Sequence, residues 1–325
     1  MKRSIPVADF YSLARSGAMP APIPPLQFDT NFAPETGRAV SVSPKVVRVT
    51  APNAGPYTFT GTNSFILGGS APVVIDPGPD DAVHLAALLA ALDGRRPAAI
   101  LLTHTHRDHS ALVPKLKAAT GAPVWFGGRH RMSRAPRLFE MNGVARESDW
   151  ALVPDRTLVD GEVAAFEELA LEVIATPGHC ANHLGFGLRG TPDLLSGDHV
   201  MGWNSTLVSV PDGSMADYLH SLETLLGVAY TRYLPAHGGP IADGPAYVRA
   251  LKAHREMRNQ QVTDTVNAGA RRIGELLRAI YPTLPLHLQP AARMTLKAHV
   301  EYLAARGLIG ASQGLLGLTL FPPAS

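Results

Sequence analysis

Across 325 residues there is one cysteine, Cys180. An intramolecular disulfide is therefore excluded, and no cysteine pair is available as a zinc clasp or redox couple. Charged residues are scarce, at 17%, and aromatics make up only 6%, yet 46% of the chain is hydrophobic, so a disordered or polyelectrolyte protein is not expected. No apolar run approaches the roughly 18 residues of a membrane-spanning helix. The start, Met1 to Phe10, holds two basic residues and no apolar stretch of signal-peptide length, and a soluble, cytoplasmic protein is expected. The formal net charge is only +2. Its distribution is uneven, since residues 246–325 carry ten Lys/Arg against four Asp/Glu.

What the chain does have is histidine, placed at sharp turns. The stretch Ile100 to Ser110 reads Ile-Leu-Leu-Thr-His-Thr-His-Arg-Asp-His-Ser. Alternation in an extended chain puts His104, His106 and Asp108 on one side, with His109 brought round by the next turn. Three imidazoles and a carboxylate within six residues supply nitrogen and oxygen ligands for a metal. Three further candidates follow strands: His179 in Thr-Pro-Gly-His, Asp198 in Ser-Gly-Asp, and His237 in Pro-Ala-His-Gly. A glycine beside each lets the backbone turn tightly towards a shared centre.

The periodicity around these turns predicts an α/β chain. Residues 1–43, with Pro20, Pro22, Pro24 and Pro25 clustered, read as an irregular lead-in. Strands are expected at Val46–Thr50, Tyr57–Leu67, Val73–Asp76, Ala98–Leu102, Val124–Phe126, Thr157–Val159, Leu169–Ala175, His183–Leu188, Asp193–Leu195 and Tyr230–Leu234. Helices are expected over Asp81–Asp93, capped by Gly94, over Ala111–Ala119, and after Ser214, which opens a capping box. Residues 127–150 and 199–213 show no readable pattern. Two β-rich halves with helices after each suggest two sheets face to face, with helices outside. Residues 44–245 thus form the expected catalytic domain. Residues 246–325 read as helix, helix, helix (Ala291–Ala305) and hairpin (Leu308–Phe321), the order of a winged-helix module.

Taken in order, Asp76, the His104-Thr-His106-Arg-Asp108-His109 run, His179, Asp198 and His237 resemble the five motifs of the metallo-β-lactamase superfamily of hydrolases. That resemblance implies an αββα sandwich with a two-metal site at one edge. It implies that His104, His106 and His179 hold one ion, that Asp108, His109 and His237 hold a second, and that Asp198 bridges them. Asp76 would orient a ligand from behind. Two divalent ions about 3.5–4 Å apart lower the pKa of a shared water, and the resulting hydroxide attacks carbonyl or phosphorus. Asp108 would also shuttle the proton. Zinc is the default ion; iron and manganese suit the same ligands.

Within the superfamily, the lack of a cysteine ligand and the intact Asp198 argue against the common β-lactam-cleaving enzymes. Only 39 residues separate Asp198 from His237, too few for the cap domain of the nucleic-acid-processing branch, and no Glu replaces His106 as in diiron flavoproteins. What remains is similar to glyoxalase II, lactonases and, through the winged-helix-like tail, the β-lactamase-like protein 2 group. The small-molecule substrate implied is an ester, thioester or lactone. Alternatives left open are single-stranded RNA cleavage, with the basic tail on phosphates, and a metal-bearing sensor. The tail equally suits a homodimer surface. His183 and Asn63, the latter in a Gly-Thr-Asn-Ser turn, are candidate substrate contacts. His199 is expected to point away, Cys180 to be a small buried neighbour, and Trp203 and Tyr218 to pack in the core.

Overall fold

A computed structural model describes residues 26–138, 140, 142–314 and 317–323. The proline cluster at 20–25 lies outside them. The first sheet has seven strands in sequence order: β1 (Ala39–Ser43), β2 (Val46–Thr50), β3 (Asn63–Leu67), β4 (Val73–Ile75), β5 (Ala99–Leu101), β6 (Val124–Phe126) and β7 (Arg156–Thr157). β1 to β4 pair antiparallel, and β4 to β7 parallel. The second sheet runs β12-β11-β10-β9-β8, from β8 (Val163–Ala165), β9 (Ala170–Ala175), β10 (Leu184–Leu188), β11 (Asp193–Gly197) and β12 (Arg232–Pro235).

The inner faces meet through one apolar layer. Phe65, Leu67, Ile75 and Leu101 of the first sheet pack on Leu171, Val173, Phe186, Leu195 and Leu234 of the second. The outer face of the first sheet is covered by α1 (Ala82–Leu92) and α3 (Val113–Thr120), through Leu88, Leu92 and Leu116. The outer face of the second is covered by α4 (Met215–Leu226) and the start of α5 (Gly244–Asn267). Because β4 to β6 are covered on both faces they are apolar throughout, as parallel central strands are. This is the expected αββα sandwich.

Local signals explain most boundaries. Asp81 caps α1, its Oδ1 accepting from the His84 N–H at 2.7 Å, and Ser214 caps α4 by accepting from the Asp217 N–H. α1 ends on Asp93, in the left-handed region at φ 49°, one residue before the glycine expected to end it. The strand expected over Tyr57–Leu67 is shorter. It starts at Asn63, because residues 54–61 form a turn in which Phe59 adopts φ 54°. β1 and β8, two edge strands, have no counterpart in the sequence reading; β1 falls in the lead-in expected to be irregular.

Beyond α5 come α6 (Ile273–Ile280), α7 (Gln289–Ala305) and a hairpin of β13 (Gly310–Gly314) and β14 (Gly317–Phe321). They enclose their own core, including Leu276, Leu296, Val300 and Leu320. α5 belongs to both bodies. Val248 and Leu251 pack with Leu219 and Leu222 of α4, while Val262 and Val266 pack with α6 and α7.

Candidate metal centre

The sandwich delivers the polar residues to one edge. β5 ends at Leu101, whose carbonyl accepts from the Asp76 N–H at 2.9 Å, and Thr103 to His106 follow as extended chain. His106 then opens the short helix α2 (Arg107–Ser110), which brings Asp108 and His109 round. β9, β11 and β12 run out into His179, Asp198 and His237 respectively. Two glycines are required here. Gly178 has φ 140°, and a Cβ on it would lie 2.4 Å from the Tyr218 Cα at the head of α4; at Gly197, φ 52°, a Cβ would meet His183 Nε2 at 2.6 Å.

Three groups of ligand atoms converge: His104, His106 and His179; His104, His109 and Asp198; and Asp108, His109 and His237, each within 4.8 Å. Asp198 stands between the first and last groups. Its Oδ2 lies 3.7 Å from His179 Nε2, and its Oδ1 lies 3.6 Å from His109 Nε2 and 3.3 Å from His237 Nε2. The structure thus brings all seven residues together, with His104 also falling in a group with His109 and Asp198.

Each histidine has one nitrogen committed outward. His104 Nδ1–H donates to Thr103 Oγ1 at 3.0 Å, and that hydroxyl donates to Asp76 Oδ2 at 2.7 Å. His109 Nδ1–H donates to the same Asp76 Oδ2 at 3.1 Å. His179 and His237 donate through Nδ1 to the carbonyls of Leu207, at 2.7 Å, and Gly61, at 3.2 Å. His106 is reversed, donating through Nε2 to Asp212 Oδ2 at 3.2 Å. The inward nitrogens of His104, His106 and His179 therefore face one another as lone pairs. His106 Nδ1 stands 3.1 Å from His104 Nε2 and 2.9 Å from His179 Nε2. Acceptors gathered so closely repel one another unless a cation lies among them.

The second group gives the same answer. His109 Nε2, His237 Nε2 and Asp198 Oδ1 are buried without a hydrogen-bond partner. The imidazole–carboxylate approaches of 3.2–3.6 Å lack hydrogen-bond geometry, although the charges are close enough to shift each other. Orphaned buried polar atoms of this kind need a partner, and nitrogen and carboxylate donors at these positions fit divalent ions.

Charge follows position. Burial, with neighbouring imidazoles, pushes His104 well below its ordinary pKa and His179 down to about 4, so both are neutral. Burial also lowers His237, but Asp198 and Asp108 outweigh it and raise the ring to about 9; the same two carboxylates hold His109 high. Burial alone would raise Asp108 and Asp198, yet His109 and His237 keep both ionised.

Two expected substrate contacts are placed elsewhere. His183 is 1% exposed; its Nδ1 pairs with Thr176 Oγ1 at 2.8 Å, and its Nε2 accepts from the Asp198 N–H at 3.1 Å. With both nitrogens used it supports Asp198 from beneath. Asn63 is also buried, accepting from Thr50 Oγ1 and donating to the carbonyls of Pro235 and Gly238 at 3.1 and 2.9 Å, so it clamps the His237 turn. Trp203, expected in the core, lines a cavity, while Tyr218 is core as expected. Cys180 is buried. His199 is buried beside Tyr218, outside the converging groups.

Sequence reasoning missed Asp212, which also accepts from His130 Nε2 at 2.8 Å, and it missed Thr103. Thr103 was within reach, one residue before the His-x-His run. Asp212 lies in the 199–213 segment and had no signal.

The sandwich and a His/Asp set that could hold divalent metal define a class, the metal-dependent hydrolase. The profile of the metallo-beta-lactamase superfamily matches residues 57–237, more than half the chain, and the chain belongs to that superfamily. The chain is 28% identical to the lactamase-like protein aptB of Emericella nidulans, over 71% of this chain and 69% of that one. It is 29% identical to an atrochrysone carboxyl ACP thioesterase of Aspergillus chevalieri, over 75% of each. Among solved structures, a metallo-beta-lactamase family protein from Thermus thermophilus superposes with a TM-score of 0.70 at 25% identity, over 87% of this chain and all of that one. A beta-lactamase domain protein from Burkholderia ambifaria reaches 0.73 at 22% identity, over 90% and 95%. The protein is thus a hydrolase. These curated relatives carry fungal lactamase-like and thioesterase names. No helix among the described residues is long and apolar enough to cross a membrane.

Proposed function

We propose that the protein hydrolyses an acyl thioester, and that the carrier is an acyl carrier protein or a similar thiol. The observation that carries this reading is the seven-residue constellation beside a largely apolar cavity lined by Tyr57, Trp203, Leu207 and Tyr281, linked to it where the Leu207 carbonyl holds His179. The thioesterase named among the relatives supports it. His104, His106 and His179 would hold one divalent ion, and Asp108, His109 and His237 the other, with Asp198 shared. Zinc remains the default by ligand chemistry. When bound, such ions supply Lewis acidity and make hydroxide available near neutral pH.

The chain's own residues do the rest. The buried network of Thr103, Asp76, Asp212 and the Leu207 carbonyl fixes each ligand's tautomer and aim. Asp108 has the most open carboxylate of the set, 28% exposed against 9% for Asp198. It is placed to take a proton from the attacking water and return it to the departing sulfur. Water adds to the acyl carbon, the C–S bond breaks, and acid and thiol leave.

A second reading, single-stranded RNA cleavage, is favoured by one feature. Arg137, Arg278, Arg293 and Lys297, interspersed with Glu140, Glu275 and Glu301, line a cleft of about 900 Å³. The two are separated by supplying both substrates. Thiol release from a naphthoyl thioester, abolished in Asp108→Asn and insensitive to salt, is the expected result. Cleavage of labelled RNA that falls steeply with salt, without thiol release, reverses the reading.

A further inference from the structure

Arg255 lies in the middle of α5 and is 2% exposed. A buried guanidinium is ordinarily matched by a carboxylate, since leaving water uncompensated is costly. Here no carboxylate of the described residues pairs with it. Its Nη2 donates to the Thr206 carbonyl, its plane lies 5.0 Å over the Tyr218 ring, and its Nε is buried without a partner. The titratable groups that feel it from α5, α7 and the 199–206 segment are His254, His299 and His199, all neutral because burial and neighbouring positive charge push them down. Arg258, one turn on, adds charge of the same sign. Nothing among the described residues balances this cation.

Arg255 lines a cavity of about 210 Å³ with a largely apolar and aromatic wall, including Tyr57, Trp203, Tyr281, Leu284 and Leu288, interrupted by Asn204, Ser205 and Thr295. The Trp203 indole N–H is also buried without a partner. The cavity also abuts the metal centre. Trp203 stacks on Phe59 at 4.9 Å and presses on Gly238, next to His237. The Leu207 carbonyl holds His179, and Thr206 Oγ1 donates to the Asp198 carbonyl at 2.8 Å. Residues 203–207 are one wall with two sides.

We propose that this cavity is the acyl subsite, and that it selects a ring-bearing acyl group carrying an anionic oxygen, which Arg255 neutralises. The assignment of the occupant as acyl rests on the thioester reading above; the affinity for an apolar carboxylate does not. A buried unpaired cation disfavours a plain fatty chain.

The test uses binding without turnover, so a failed thioesterase assay leaves it readable. 2-Naphthoate and 2-naphthamide are titrated into the metal-loaded protein by calorimetry. The carboxylate is expected to bind about 10- to 100-fold more tightly, the size of a charge-assisted hydrogen bond in a dry site. Arg255→Met should erase that preference and Arg255→Lys keep part of it. Ala291→Trp, which fills the cavity from α7 without touching the cation, should weaken both ligands about 10-fold or more. Should Arg255→Met fail to fold, the lysine and tryptophan variants decide. Equal affinities in the unaltered protein overturn the proposal. So does a preference that survives Arg255→Met, which would place the carboxylate at the metals, and so does binding indifferent to Ala291→Trp.

Discussion

Asp212 meets two imidazoles at once, His106 at 3.2 Å and His130 at 2.8 Å, from a wholly buried position. Burial would raise its pKa, but those two rings hold it well below the usual carboxylate range. It fixes His106 in the tautomer opposite to that of the other four histidines. Asp212→Ala should therefore lower affinity for one of two ions about 10- to 100-fold, read by competition with a chromogenic chelator. Unchanged affinity for both ions would contradict this role. A second outcome follows from charge. In the metal-free protein His237 titrates at about 9 and His109 is raised, so near pH 7 both carry protons that an ion must displace. Metal uptake should release about two protons and should tighten as pH rises towards 9; calorimetry in buffers of different ionisation enthalpy counts them. At this scale the candidate ligands were legible because four crowd into the run His104–His109 and the other three stand beside a glycine after a strand. Their supports were not. Asp212 is 106 positions from His106, and nothing local distinguishes a supporting carboxylate from a solvated one.

Among the elements, central strands were legible, while of the edges β12 was, β7 only at Thr157, and β1 and β8 not at all. β4, β5 and β6 are short apolar runs ended by Pro, Gly or ligand turns, while β1, β7 and β8 are short and partly exposed, so no burial pattern marks them. The segment 127–150 lacked periodicity because side-chain ties organise it. Arg134 grips Glu140 and, through two nitrogens at 2.8 and 2.5 Å, Glu301 of α7. This fork fastens the segment to the C-terminal body. Arg134→Ala is expected to cost about 1–2 kcal/mol, since the group is half-buried and doubly paired, and to lower Tm by about 2–4 °C in a thermal melt. Glu301→Gln should produce a smaller loss. No shift in either variant would mean that the fork is merely solvated.

At the scale of the whole molecule, the helical tail is built into the catalytic body. Val248 and Leu251 of α5 and Ala298 of α7 complete the core over the second sheet, and Arg255 reaches back to Thr206. Burying each large side chain is worth about 1.5–3 kcal/mol. A chain cut after residue 245 should therefore be insoluble or melt far below the intact protein; a soluble, active fragment would show that the tail is separable. The sequence places helices there by periodicity, but which of their faces meets the sandwich is decided by packing alone. The central claim is that two ions in the His/Asp cluster perform hydrolysis. It is tested most directly by adding zinc stepwise to chelator-stripped protein and following thiol release from a naphthoyl thioester. The account predicts no release from the stripped protein and activity that saturates at two equivalents. Release that survives stripping, or that is complete at one equivalent, would contradict it.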